Sequence, residues 1–373
     1  MIRLSKSSIT EIEQNAVSRV LKKEYLGMGN EVLIFEKKLS NYFSRKVLCT
    51  NSGTSALQLA LYGIGITSGD EVLVPSLTFI SSFQAISALG AKPISCDVDI
   101  STLTIDLEDI KKKVNKKTKA IMIVHYAGGY GQIDDLYKFA KINNLRIIED
   151  AAHAFGSKYK NKLIGSFGDI SCFSFDGIKN ITCGEGGCVV TKDKNVFDKI
   201  ASARILGIKN ESLYRYKNKR QWKFDVKCQG WRYHMSNIMA AIGIAQLSRF
   251  SSLSKKRKLL AKYYDAKLLN NQNIIFLRKN YNQIVPHIYP IRIKNLKNRK
   301  SLQIFLLKQG IETGWHYQPN HLLSFYKKNK VTLKNTDLVS KELLTLPLHY
   351  DLKFKDIDYI ISVLNKNLKK FTT

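Results

Sequence analysis

Between Gly69 and Asp150 the chain reads GDEVLVP (69–75), PISC (93–96), AIMIV (120–124) and LRIIED (145–150). Each apolar run has the length and composition of a buried strand. Between the runs the apolar spacing changes to a helical period, predicting helices near Ser81–Leu89, Leu107–Val114 and Ile133–Ile142. Such alternation means a largely parallel sheet covered on both faces, because a parallel connection needs a crossover long enough to hold a helix. Ligands in these sheets gather at the carboxyl ends of strands. Asp150 ends the last run, with Ala151-Ala152-His153 after it. A carboxylate buried there needs a cationic partner.

Downstream, CFSFDGIKNITCGEGG (172–187) carries one lysine, Lys179, inside an apolar, small-residue run. Lysine is seldom buried without a partner, and a desolvated amine sheds its proton and attacks carbonyls. Ser174 supplies a hydroxyl, and the Gly184–Gly187 turn lets backbone pass close to a bound group. This is the equipment expected around pyridoxal 5′-phosphate (PLP): a pyridinium nitrogen would serve as the partner of Asp150, and His153 either reaches the ring oxygen or is a helix or turn histidine bonded to backbone. The competing reading is a surface hairpin with a solvated lysine.

Upstream, the strand-like KVLCT (46–50) is followed by NSGTS (51–55) and the helical run ALQLALY (56–62). Strand, small-residue turn and helix start in that order aim free N–H groups at a phosphate, with Gly53 and Thr54 as the candidates. Ser and Thr are also ordinary helix caps. Phe79, after Pro75, has the position to stack on the ring, although an aromatic there also suits plain core. Thr10–Glu13 forms a capping box for a first helix to about Lys23, and a second runs through Val32, Phe35, Leu39 and Tyr42.

Beyond the lysine, Val196–Ala203 reads as helix and 213–223 (LYRYKNKRQWK) as a basic loop. Ser236 caps a small-residue helix, IMAAIGIAQL (238–247). The last third has a strand at 286–293, a helix at 302–308, a strand-turn GWHYQPNHL (314–322) and a final helix at 356–364. We expect a large domain over 1–245 and a smaller α+β domain over 246–373.

The 373 residues carry 60 Lys+Arg against 30 Asp+Glu, a formal charge of +30 that attracts anions. No compact basic tract, zinc-finger spacing or basic heptad region accompanies it, so nucleic acid is not the expected partner. The six cysteines lie singly without metal spacing, and no metal is expected. The amino terminus lacks a hydrophobic signal region and no window approaches about 18 apolar residues, so the expectation is a cytoplasmic protein off the membrane.

SGT (52–54), EDAAH (149–153), FSF (173–175) with Lys179, GEGG (184–187), HYQP (316–319) and LPLH (346–349) stand in the order found in the DegT/DnrJ/EryC1/StrS-type sugar aminotransferases, which the chain resembles over nearly its whole length. The resemblance implies an aspartate-aminotransferase-like α/β protein of PLP fold type I, with a mainly parallel sheet in the large domain. It implies a homodimer with shared active sites that moves an amino group from L-glutamate to a keto group on a nucleotide-linked (dTDP, UDP or GDP) keto-deoxysugar, for amino-sugar and surface-polysaccharide synthesis. An aminotransferase of a small phosphorylated ketone is the alternative. Lys179 would be the Schiff-base lysine and proton shuttle, Asp150 the pyridinium partner and His153 the ring-oxygen contact. Gly53, Thr54 and Ser174 would hold the phosphate, and Phe79 the ring face. Where the family often has Asn-Tyr-Arg this chain has Arg232-Tyr233-His234, so Arg232 would reach the neighbouring subunit's cofactor phosphate. For substrate we expect the diphosphate at Arg215, Lys219 and Arg220, with neighbouring lysines, and the sugar at His316, Tyr317 and His321.

Overall fold

The computed structural model describes residues 1–372 apart from 227, 278 and 328–330. Among the described residues the central sheet has seven strands: β1 Lys46–Thr50, β2 Glu71–Pro75, β3 Lys92–Cys96, β4 Thr118–Val124, β5 Arg146–Asp150, β6 Ile170–Ser174 and β7 Gly187–Thr191. Their order is β1-β7-β6-β5-β4-β2-β3. β7 pairs antiparallel with β1 and β6, while the pairs from β6 through β3 are parallel. The mainly parallel sheet is as expected, and it brings the carboxyl ends of β1, β2, β5 and β6 to one edge.

Both sheet faces are packed. In β6, Phe173 enters the cluster of Phe35, Phe43, Phe155 and Phe175, whereas Cys172 joins Leu57, Leu61, Val72 and Phe83 on the opposite face. That split is the period-two alternation of a strand buried on both sides. The first helix, Glu11–Lys22, has the Thr10 capping box, and the second is Asn30–Phe43. Ser236 caps Asn237–Leu268, a continuous helix of 32 residues. Gly243 in that helix is required by close approach, since a Cβ there would lie 2.5 Å from the Phe35 ring.

This long helix passes residue 245 without a break, so a division drawn there falls inside it. Its later turns, with Leu260, Tyr264 and Leu268, pack on a second, antiparallel sheet of β8 Ile274–Phe276, β9 Tyr289–Ile293 and β10 Leu343–Leu346. Helices Arg299–Lys308 and Phe354–Asn367 complete that unit. Two local expectations need correction. The stretch expected to be a loop from 213 is helical over Glu211–Tyr216, because Tyr216 is drawn into a buried network with Glu36 and Arg204. The segment 314–322 forms no strand, only a bridge from Gly314 to Thr345 and a short turn at Asn320–Leu322. Among the described residues no helix is long and apolar enough to cross a membrane.

Candidate active site

At the end of β1 the chain turns and enters helix Gly53–Gly63, capped by Ser52, whose hydroxyl accepts from the Ser55 N–H at 3.1 Å. The uncapped N–H groups of this first turn, with the positive end of the helix dipole, form an anion site. Gly53 is dictated by the tertiary fold: a Cβ there would stand 2.8 Å from Cβ of Ser174, at the end of β6. Thr54 donates to Ser81 at 2.7 Å, tying this turn to the one after β2.

The end of β1 is itself anchored. Glu36 accepts from the Cys49 N–H at 2.8 Å and pairs with the fully buried Arg204, which also donates to Cys49 O at 2.8 Å. The β1 carboxyl end is thus held by an ion pair buried behind it.

Asp150 is 6 % exposed, and accepts from the Ser82 hydroxyl at 2.8 Å and the Ala152 N–H at 3.2 Å. Burial raises its pKa above the usual carboxylate range, although both hydrogen bonds oppose the rise. A buried carboxylate held by the neutral donors Ser82 and Ala152 is what a cationic ring nitrogen would complement.

His153 accepts from the Ala127 N–H at Nδ1, 3.2 Å, so the proton of the neutral ring lies on Nε2, 2.8 Å from the Tyr317 hydroxyl. Burial, reinforced by Lys179, pushes its pKa well below the ordinary histidine value.

Lys179 follows β6 on a turn closed by its N–H to Asp176 O at 3.0 Å. Burial lowers its pKa, against the attraction of Asp176 and Asp150. Its Nζ lies 3.4 Å from Nε2 of His287, a residue that none of the sequence motifs contained.

These elements enclose a cavity of about 460 Å³ lined by Gly53, Thr54, Phe79, Asp150, His153, Ser174, Lys179, His316 and Tyr317, among others. Phe79 is 55 % exposed and meets Tyr317 at 5.7 Å between ring centroids, so it is a mouth residue and not core. His316 is fixed by Thr345, whose hydroxyl is 2.9 Å from Nδ1. Burial and Lys179 bring its pKa to about 4. Ser82, Asp176 and Glu185 also belong to the site or its support; Ser82 carried no local signal in the sequence, while Asp176 and Glu185 lay in the lysine stretch without a role of their own.

Several expected contacts are not on these walls. His321 is turned away: its Nδ1 is 2.7 Å from the Ser76 hydroxyl and its Nε2 3.1 Å from Asp337, so both nitrogens are engaged inside the fold. Arg215 donates to Glu211 at 2.6 Å, one helical turn back. Lys219, Arg220 and Arg232 are exposed and outside the cavity of their own chain. Arg232 does lie beside the phosphate-type turn, since Asn51 donates to Arg232 O at 3.4 Å and to Tyr233 O at 2.7 Å.

Residues 7–365 match the DegT/DnrJ/EryC1/StrS aminotransferase family. The chain belongs to that family. It is 36% identical to the GDP-perosamine synthase of Escherichia coli O157:H7 over 363 residues, 96% of each chain. The structure of Helicobacter pylori PseC, an aminotransferase of pseudoaminic acid biosynthesis, matches at TM-score 0.92 and 29% identity, covering 99% of this chain and 100% of that one. The PLP form of the putative sugar aminotransferase Spr1654 from Streptococcus pneumoniae matches at TM-score 0.91 and 29% identity, each chain covered completely. The chain is therefore a PLP-dependent aminotransferase with the fold type I architecture expected of it. Its residues fit the cofactor: a helix start where Gly53 leaves room beside Ser174, a buried carboxylate held by neutral donors, and a lysine with a lowered pKa line one cavity.

Proposed function

We propose that this enzyme transfers the amino group of L-glutamate to a keto group of a nucleotide-linked keto-deoxysugar, as a cytoplasmic homodimer serving amino-sugar and surface-polysaccharide synthesis. The observation that carries the reading is the convergence of Asp150, Lys179 and the Gly53 helix start on one cavity. The 36% identity to a GDP-perosamine synthase over nearly the whole chain supports the substrate class.

The cofactor supplies an electron sink for the carbon that bears the amine. Lys179 would be the residue that holds it and would move the proton at that carbon, a role suited to an amine whose burial favours the neutral form. Asp150 would keep the ring nitrogen protonated by charge. The N–H groups at Gly53 and Thr54, with the Ser174 hydroxyl, would hold the phosphate. The Nε2–H of His153, which meets the Tyr317 hydroxyl at 2.8 Å, would turn to the ring oxygen, and Phe79 would cover the ring face. His316 and Tyr317 meet the sugar side. Arg232, exposed and outside its own cavity, is assigned to the partner's cofactor phosphate, where a guanidinium offers a bidentate donor. Lys219 and Arg220 are assigned to diphosphate in the dimer. Arg215 and His321 are engaged with Glu211 and with Ser76 and Asp337, and take no part in substrate binding.

The test pairs two assays. L-Glutamate is expected to discharge the visible absorbance of the holoenzyme, and Lys179→Ala to abolish turnover. In a screen of acceptors, NDP-ketosugars are expected to be aminated in preference to small keto-phosphates. A small keto-phosphate that outcompetes every NDP-sugar would overturn the substrate class, and unimpaired turnover by Lys179→Ala the mechanism.

A further inference from the structure

Lys179 meets one side chain that the family motifs do not account for. His287 precedes β9, is 3 % exposed, and places Nε2 3.4 Å from Lys179 Nζ. Its ring lies 4.5 Å from that of His153 between centroids. Its Nδ1 has no hydrogen-bond partner among the described residues.

The backbone that presents His287 is tied to the backbone that presents Lys179. The buried Arg257, on the long helix, donates to His287 O at 2.9 Å, to Leu348 O at 3.3 Å and to Ile178 O at 3.5 Å. One guanidinium therefore fixes the lysine turn, the entry to β9 and the segment after β10 to a common origin.

We propose that His287 is the positioning residue of Lys179, holding its free amine neutral by hydrogen bond at the edge of the cofactor site, from where the side chain turns its lone pair onto the cofactor as that bond is given up. The proposal rests on Lys179 being the cofactor lysine. A lysine side chain has one flexible stem of about four carbons and a compact head that no packing contact alone can aim. Displacements of about 1 Å are worth about 100-fold in rate when reacting groups must meet in register.

The tautomer follows from the unpartnered Nδ1. A proton there would be a buried donor without an acceptor, which native structures rarely tolerate. The proton then sits on Nε2 and is donated to the lone pair of the amine, a bond that exists only while Lys179 is neutral and that breaks as the lone pair turns to attack. The groups facing Lys179 pull in both directions. Asp176 on its own turn and Asp150 at the end of β5 favour the ammonium form, and Arg257 on the long helix disfavours it. His153, His287 and His316 are held neutral by burial.

The experiment measures covalent attachment, not turnover. The full-length protein is stripped of cofactor and mixed with PLP across a pH series, and growth of visible absorbance gives the attachment rate. His287→Phe keeps a ring of similar volume without the hydrogen bond, and its rate is expected to fall about 10- to 100-fold. The acid limb of its pH profile is expected to move to higher pH, because a donor to the neutral amine has been removed. His287→Gln, whose amide N–H reaches about as far as Nε2, is expected to restore most of the rate and the original pH limb. Thermal melting confirms folding of each variant, and His287→Leu replaces the Phe variant if that chain does not fold. Attachment at the unmutated rate with an unmoved profile overturns the proposal. So does a slow rate that Gln fails to rescue while the pH limb stays in place, which marks a packing role. Lys179→Ala tests the underlying assignment separately: attachment that survives in that variant refutes the lysine's role whatever His287 does.

Discussion

Asp150→Asn separates a functional carboxylate from a structural one. The amide keeps the volume and can still accept from Ser82 or Ala152, which donate at 2.8 and 3.2 Å. In the cofactor-free protein the charge is a liability. Burial raises the Asp150 pKa above its unfolded value of about 3.9, so the folded chain binds that proton more tightly than the unfolded one. Stability is therefore lost as pH rises from about 4 through the raised folded value, and the loss is constant above it. Removing the charge is expected to leave the apoprotein at pH 7 as stable as before or more so, with the gain fading toward pH 4. Cofactor binding should respond oppositely. A hydrogen bond between charged groups is worth about 1.5–3 kcal/mol, which at about 1.4 kcal/mol per tenfold is roughly a 10- to 140-fold weaker PLP affinity. Melting curves of the apoprotein at the two pH values and an absorbance titration with PLP measure both arms. An apoprotein melting temperature that collapses, with normal activity per folded molecule, would refute the reasoning.

Gly53→Ala places a methyl 2.8 Å from Ser174 Cβ; overpacking of about 1–3 kcal/mol outweighs the roughly 0.4–1 kcal/mol gained from a stiffer unfolded chain, and PLP titration should show weakened binding, with unchanged affinity counting against a phosphate seat. Glu36→Gln leaves the buried Arg204 without its carboxylate, and denaturant unfolding should show a loss of about 3–5 kcal/mol; a change below 1 kcal/mol would mean the pair is not desolvated as its burial indicates. Mixing Lys179→Ala with Arg232→Ala chains should restore activity through hybrid dimers, and no rescue despite demonstrated subunit exchange would remove Arg232 from the partner's site.

What the sequence determined by itself was whatever depends on local order along the chain. Apolar runs separated by helical spacing specify a parallel sheet, because no other arrangement buries strands on both faces while leaving room for crossovers. Asp150 and Gly53 were legible for the same reason: each sits at the carboxyl end of a strand, where chain order alone forecasts a ligand. Lys179 was legible because a lone amine in an apolar run is chemically conspicuous.

The tertiary structure decided everything that depends on side chains meeting across long separations. His287 is 108 residues from Lys179, inside a run that reads as an ordinary strand, and only the completed fold, with Arg257 of the long helix bonded to both backbones, brings them to 3.4 Å. His321 and Arg215 looked available in the sequence because a histidine or arginine carries no local mark of its partner. The fold gives His321 to Ser76 and Asp337, and Arg215 to Glu211. The reason is the range of the forces: periodicity and turn chemistry act over a few residues, whereas a buried polar group is committed by whichever partner the completed packing delivers to it.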